Sequence, residues 1–308
     1  MLARTSDCVQ FYEPRIGAQS VQALTTGLFS MQNPAQTSSP IFLDHVGFIV
    51  EDLPASRALF AGLGFTLTER ADHTRTNAQG EKVSAGSSQH SIMLGTGYIE
   101  LMQITDRQAG HQLTPAIDER YGLHVLALGA GDAQACHQQV AGLKPGPIMD
   151  WARPVSTPER SGLARFRYFD APWTASDPSY ICWVEQVTPE LVRSPSLLRH
   201  PNGAQALAGL SYSGAESALQ AWAERLQQAG AQPAGGGRLS LGPSWIALES
   251  SGTGPALPSA LTLVFSSLQD LSQRAERLQL RRLHDSPERL SLDLRDVCGL
   301  VLHAVVQA

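Results

Sequence analysis

The sequence predicts an α+β protein built from four βαβββ modules arranged as two paired halves. Three observations carry that expectation. A strand-helix-strand order recurs four times along the chain. Apolar, β-branched runs alternate with short helices that have recognisable caps. The chain has 308 residues with 43% hydrophobic side chains, enough to bury one large core or two cores of about 150 residues each.

The modules follow in order. Residues 1–40 end in a Gln/Thr/Ser/Pro-rich run and read as an N-terminal arm. Ile41 to Val50 is a strand, Asp52 stands at a helix N-cap with Pro54 in the first turn, and Ala55 to Leu63 is a short helix stopped by Gly64. A further strand is expected near Phe65 to Arg70. His90 to Leu94 and Tyr98 to Ile104 then form a hairpin around Gly95 to Gly97. The second unit repeats this with the strand Gly122 to Leu128, a helix from Asp132 to Val140, and strands at Leu163 to Phe169 and Tyr180 to Val187. The third has Leu207 to Tyr212, the amphipathic helix Glu216 to Ala229, and Trp245 to Glu249. The fourth has Ala260 to Phe265, the helix Leu268 to Leu280, and Gly299 to Val305. Residues 41–200 are thus expected to form one pair of modules and residues 201–308 a second, degenerate pair, divided at His200 to Gly203.

Composition excludes several functions. A net charge of -5 and a pI near 6.0 offer no basic surface for a phosphate backbone. Four dispersed cysteines, Cys8, Cys136, Cys182 and Cys298, fit neither a zinc knuckle nor a disulfide framework. No apolar run reaches a membrane span, so a soluble, cytoplasmic protein is expected. The run Leu128 to Gln134 follows a strand and opens a helix, but Gln134 stands where a dinucleotide fingerprint needs its third glycine.

Four residues carry the candidate chemistry. With the repeats in register, His45 and His124 occupy matching first strands, and Glu100 and Glu185 matching last strands. Burying unpaired carboxylates costs several kcal/mol, so two His and two Glu at equivalent places need a common compensation, which a divalent cation supplies. Imidazole and carboxylate suit Zn, Ni, Co, Mn or Fe and leave open positions for substrate. The second half lacks such a set: Gly209 matches His45, Ala247 matches Glu100, Ala260 or Leu261 replaces His124, and His303 alone stands at the place of Glu185. One metal per chain is the expectation.

Leu43-Asp44-His45-Val46-Gly47, Glu51 to Ser56 with Phe60 and Leu63-Gly64-Phe65, and Tyr98-Ile99-Glu100-Leu101 resemble the opening module of vicinal-oxygen-chelate proteins, the superfamily of glyoxalases and extradiol dioxygenases. Val187 to Val192 with His200 to Ala204 is similar to glyoxalase-like-domain proteins. The resemblance implies a curved sheet of paired modules cradling a metal that chelates a small substrate through neighbouring oxygens. His45, Glu100, His124 and Glu185 then match the four ligands of glyoxalase I, with Glu100 also able to serve as the base. His45, His124 and Glu185 alone match the triad of ring-cleaving dioxygenases. The implied activity is a metal-dependent isomerase, lyase or epimerase working through a metal-bound enolate. The alternatives are extradiol ring cleavage and metal-free ligand sequestration. His90 and His200 are candidate acid/base residues, Tyr168, Tyr180, Trp173 and Trp183 candidate pocket walls, and Arg165 or Arg167 a contact for an anionic substrate. A small-molecule substrate is the expected partner, with a homodimer possible.

Overall fold

The β-rich runs assemble, in a computed structural model that describes residues 40–76 and 79–306, into two eight-stranded sheets. The expected arm, Pro40 apart, lies outside the described residues. The first sheet contains β1 (Ile41–Ile49), β2 (Ala71–Thr76), β3 (Lys82–Met93), β4 (Tyr98–Ile104), β5 (Gly122–Ala130), β6 (Met149–Ser156), β7 (Ser161–Asp170) and β8 (Tyr180–Gln186). Their spatial order is β2-β3-β4-β1-β5-β8-β7-β6. The second contains β9 (Ala204–Gly214), β10 (Gln232–Gly235), β11 (Arg238–Leu241), β12 (Ser244–Ser250), β13 (Leu257–Phe265), β14 (Arg282–Asp285), β15 (Arg289–Leu294) and β16 (Leu300–Val306). Its order, β10-β11-β12-β9-β13-β16-β15-β14, repeats the same plan.

In each half the first strands of the two modules pair antiparallel at the centre, β1 with β5 and β9 with β13. Each also pairs in parallel with the last strand of its own module, as β1 does with β4 and β5 with β8. The crossover helices are capped as their sequences suggest. Asp52 accepts from the Ala55 N–H at 2.8 Å ahead of the helix Leu53–Gly62, and Asp132 accepts from the Ala135 N–H at 2.9 Å ahead of Ala133–Gln139.

The strand expected near Phe65 to Arg70 does not form. Side chains share its backbone bonds: the Thr66 N–H donates to His200 Nδ1 at 3.0 Å and the Thr68 carbonyl accepts from His90 Nδ1 at 2.8 Å, while the Thr68 N–H donates to the Ser91 carbonyl at 2.9 Å. Regular pairing begins at Ala71. The strands absent from the sequence reading, β6, β10, β11, β14 and β15, are mostly outer strands; the exposed ones, such as Arg-Leu-His-Asp in β14, carry polar residues rather than an apolar alternation.

One hydrophobic cluster runs beneath both sheets, from Leu43, Phe60 and Trp183 to Leu210, Trp222, Leu263 and Leu302. Polar bonds tie the halves across it. Trp183 Nε1 donates to the Ala229 carbonyl at 3.3 Å, Ser179 Oγ and Tyr212 Oη lie 2.9 Å apart, and Asn202 Nδ2 donates to the Leu63 carbonyl at 2.9 Å. Among the described residues, no helix is long and apolar enough to cross a membrane.

Candidate functional site

Side chains alternate between the faces of a strand, so each strand of the first sheet sends one set into the shared core and the other into the concave face. The concave set encloses a cavity of about 720 Å³. Its floor comes from the four central strands: His45 on β1, Tyr98, Glu100 and Met102 on β4, Val125 on β5, and Tyr180, Cys182 and Val184 on β8. The outer strands supply the walls, with His73, Gln89 and Ser91 on one side and Trp151, Phe166 and Tyr168 on the other. The sheet curls far enough that the rings of His73 on β2 and Trp151 on β6, its two edges, meet at 6.4 Å.

The β1–β5 ladder shows which residues are true counterparts. Val46 pairs with Leu126 at its centre, His45 with Ala127 and Gly47 with Val125. A local two-fold axis therefore exchanges His45 with Val125 and Gly47 with Ala127. His45 pairs with Tyr98 and Gly47 with Glu100, whereas Val125 pairs with Tyr180 and Ala127 with Cys182. Tyr98 thus corresponds to Tyr180, and Glu100 to Cys182. The ladder skips Asp44 between Leu43 and His45, and skips His124 between Leu123 and Val125. Both are bulge residues, and the axis exchanges them with each other.

Two of the four expected ligands consequently leave the cavity. His124 is buried on the other side, where its Nε2 donates to the Arg120 carbonyl at 2.9 Å. Glu185 lies an odd number of residues from Cys182 and so faces the helices. Its Oε2 accepts from the Ala133 N–H at 2.8 Å, and Arg167 approaches its Oε1 at 3.4 Å. Among the described residues no group of three or more His, Cys, Asp or Glu is gathered as metal ligands would be. His45 and Glu100 remain, facing Val125 and Cys182, and this set does not fit the four-ligand site or the two-histidine triad that the sequence suggested.

The other candidates are also re-sorted. His90 Nδ1 donates to the Thr68 carbonyl at 2.8 Å, and its strand neighbours Gln89 and Ser91, not His90 itself, line the cavity. His200 is a structural clamp: besides accepting from Thr66, it donates through Nε2 to the Met93 carbonyl at 2.8 Å, and burial lowers its pKa. Tyr168 and Tyr180 do line the cavity. Trp183 instead stacks on Phe169 within the core at 5.0 Å, and Trp173 packs on Tyr180 from outside the lining. Neither Arg165 nor Arg167 reaches the cavity, since Arg167 is held by Asp150 and Glu185. In the second half, Gly209 pairs with Trp245 as His45 does with Tyr98, and His303 stands at the counterpart of Cys182. His303 belongs to the other sheet, where Ser291 Oγ lies 2.9 Å from its Nδ1.

What remains on the floor is a compact polar arrangement. The Asp44 bulge turns its carboxylate, only 1% exposed, toward the next residue, and His45 Nδ1 donates to Asp44 Oδ2 at 2.8 Å. Gln186 Nε2 donates to Asp44 Oδ1 at 2.8 Å and Arg193 lies 3.9 Å from the same oxygen, so the carboxylate is fixed. This fixes the imidazole tautomer and leaves Nε2 as an acceptor on a ring that lines the cavity. Tyr98 stacks on that ring at 4.1 Å. Burial raises the Tyr98 pKa well above the usual phenol range, with Asp44 and Glu100 adding to the effect, so its hydroxyl stays a donor. Glu100 leans over Gly47, where a Cβ would stand 3.4 Å from Oε2 and 2.7 Å from the Val125 Cβ. Any side chain at Gly47 would therefore collide with the floor. Burial also raises the Cys182 pKa, keeping it a thiol.

The sequence matches the family of glyoxalase-like domains over residues 43–236, well over half of the chain. The chain belongs to the glyoxalase-like domain family. This places it in the glyoxalase and vicinal-oxygen-chelate superfamily, and its two curled sheets are the architecture of that fold. A hypothetical protein from Staphylococcus aureus is similar in structure with a TM-score of 0.60 at 11% identity, over 87% of this chain and 99% of that one. A Mn(II)-bound glyoxalase from Novosphingobium aromaticivorans gives 0.52 at 13% identity, over 87% and 83%. A mutant of 4-hydroxymandelate synthase from Streptomyces coelicolor gives 0.53 at 12% identity, over 87% and 93%. At such identities the likeness is one of fold. No curated protein matches the sequence.

In this glyoxalase-like cavity, sequence reasoning overlooked Tyr98, Cys182, His73, His111 and the cations Arg75, Lys82 and Arg153, and behind its floor it overlooked the role of Asp44. One signal was present: Tyr98-Ile99-Glu100-Leu101 aligns with Tyr180-Ile181-Cys182-Trp183 and points to Cys182 rather than Glu185.

The displaced histidine has a measurable consequence. Burial, helped by the Arg120 charge, pushes His124 down to about 4 from an ordinary value of 6.5. The unfolded chain therefore binds a proton between pH 6.5 and 4 that the folded chain refuses, so stability present above pH 6.5 is lost as the pH falls toward 4. At pH 5 the loss from this one group is on the order of 1–2 kcal/mol. His124→Gln, whose amide can still donate to Arg120, is expected to flatten the acid slope of the unfolding free energy, so that about 1–2 kcal/mol less is lost by pH 5. An unchanged slope would refute the assignment.

Proposed function

We propose that the first-half cavity catalyses proton transfer on a small molecule with neighbouring oxygens, an isomerase or lyase reaction passing through an enediolate. The observation that carries this reading is a buried Asp44–His45 pair presenting Nε2 to the cavity that also holds the Glu100 carboxylate, which has no partner among the described residues, and a protonated phenol, Tyr98. Glu100 lifts the proton from the carbon between hydroxyl and carbonyl. The Tyr98 hydroxyl donates to the oxygen on which negative charge develops. His45 takes the hydroxyl proton at Nε2, Asp44 stabilises the resulting imidazolium, and the two protons return to the adjacent carbon and oxygen to give the isomer. The curled walls restrict water around the floor, which strengthens each of these interactions. His45 and Glu100 are the two donors a divalent ion would meet here; Val125 and Cys182 do not complete a site around it, and no step is routed through a metal.

A second reading, sequestration of a ligand without turnover, is favoured by the same loss of donors at Val125 and Cys182. One experiment separates the two. The chelator-treated protein is incubated in D2O with a panel of 2-hydroxycarbonyl compounds, and proton NMR follows the signal of the hydrogen next to the carbonyl. Catalysed exchange that survives chelation is the expected result. Binding without exchange would establish sequestration, and exchange restored only by added metal would reinstate a metal-dependent mechanism.

A further inference from the structure

The cavity described above has a polarity along its depth. Its floor, on the central strands, holds the acid and base groups. Its rim, on the outer strands, holds Arg75 and Lys82 from β2 and β3 and Arg153 from β6. Arg75 and Lys82 are exposed, Arg153 is half-buried, and none of the three forms an ion pair with a described residue. The nearby carboxylates are already engaged. Asp150 on the rim lies 3.6 Å from Arg167, and Asp72, lining the adjoining smaller pocket, accepts from Arg70 at 2.9 Å and from Ser88 at 2.6 Å. Glu81 has its own partner. His111, which also lines the cavity, is pushed down to about 4 by burial and is neutral at pH 7. The rim therefore carries a net positive charge over an opening whose low-dielectric walls focus its field.

Between rim and floor the lining is apolar. Trp151, Phe166 and Tyr168 form one wall, and Met102, Val125 and Val184 face the same space. Arg153 is held within this wall, its guanidinium lying 6.0 Å from the centre of the Phe166 ring, which in turn packs on Trp151 at 5.4 Å. An arginine fixed in this way loses little freedom when it takes a carboxylate through two parallel N–H bonds.

We infer that the cavity takes an organic carboxylate with a flat apolar body, its charged end at the rim between Arg75, Lys82 and Arg153 and its body against the aromatic wall, the end remote from the carboxylate reaching the His45–Glu100 floor. The inference deepens the proposed proton-transfer reading, which sets what the floor does, and adds what the rim selects. A cavity of about 720 Å³ accommodates a bicyclic ring system with room for the reacting group.

The test compares three probes of one shape, 2-naphthoate, 2-naphthamide and 2-naphthylmethylammonium, by calorimetry on the full chain at low and moderate salt. The carboxylate is expected to bind about tenfold more tightly than the amide at low salt, the advantage shrinking as salt rises, and the ammonium least of all. Arg153→Met and Lys82→Met are each expected to weaken 2-naphthoate by about three- to tenfold while leaving 2-naphthamide unchanged, which also reports that the variants are folded. Equal binding of carboxylate and amide, or equal weakening of both by the rim variants, would overturn the inference. If no hydrogen exchange is seen while the carboxylate preference holds, the isomerase reading falls and the rim assignment stands.

Discussion

Glu100→Gln is expected to lower catalysed hydrogen exchange by about 10²- to 10⁴-fold, the range supplied by a positioned general base. The amide keeps the volume over Gly47, so the floor should not repack, but it cannot accept a proton at neutral pH. His45→Gln is expected to lose a similar factor, because Asp44 then has no imidazolium to stabilise. Asp44→Asn removes both the orientation of the His45 ring and the charge that stabilises its imidazolium. With its Nδ2 turned to His45 Nδ1, the asparagine favours the opposite tautomer and moves the proton to the cavity-facing Nε2, so the rate should fall while ligand affinity holds. Exchange rates and calorimetric affinities measured together check all three. A Glu100→Gln variant that retains exchange within a few-fold would remove this residue from the chemistry.

Trp183→Ala is expected to cost about 3–5 kcal/mol of stability, the range for deleting a fully buried aromatic side chain. Trp183 stacks on Phe169 at an interplanar angle of 11° and donates to Ala229 in the other half, so the substitution opens a cavity and orphans a carbonyl at the junction of the sheets. The loss is expected in one cooperative transition, seen alike by circular dichroism and by the fluorescence of the remaining tryptophans. A loss below about 1 kcal/mol, or two separate transitions with only one displaced, would show that the halves do not share their core.

The modules were legible because their signals are local. The Asp52 and Asp132 caps, the short helices and the apolar strands each announce themselves within a few residues, and the register Gly209–Trp245 bears out the matching of Gly209 to His45. His45 and Glu100 were found on the cavity floor for the same reason. His124 and Glu185 were misplaced because side-chain direction depends on parity, and parity is reset by a bulge. Aligning His45-Val46 with His124-Val125 looks natural, yet the ladder steps over Asp44 and His124, so the imidazole at position 124 answers to the Asp44 carboxylate and not to His45. The rim cations were missed for a different reason. Arg75, Lys82 and Arg153 lie on polar outer strands whose closeness is created by the curl of the whole sheet, and no window of sequence contains it.

The continuous core beneath the sheets gives the second half a use that needs no chemistry of its own. If the chain unfolds as one unit, anything held in the first cavity raises the free energy of unfolding everywhere, by about 2.7 kcal/mol at a ligand concentration of one hundred times Kd. Trp222, on the helix Glu216–Gln228, buried against Tyr212 and outside the cavity lining, would then report its occupancy through the temperature at which its own surroundings melt. The second half becomes a built-in thermometer for the first, so compounds for the cavity can be ranked by the melting of a region they never touch.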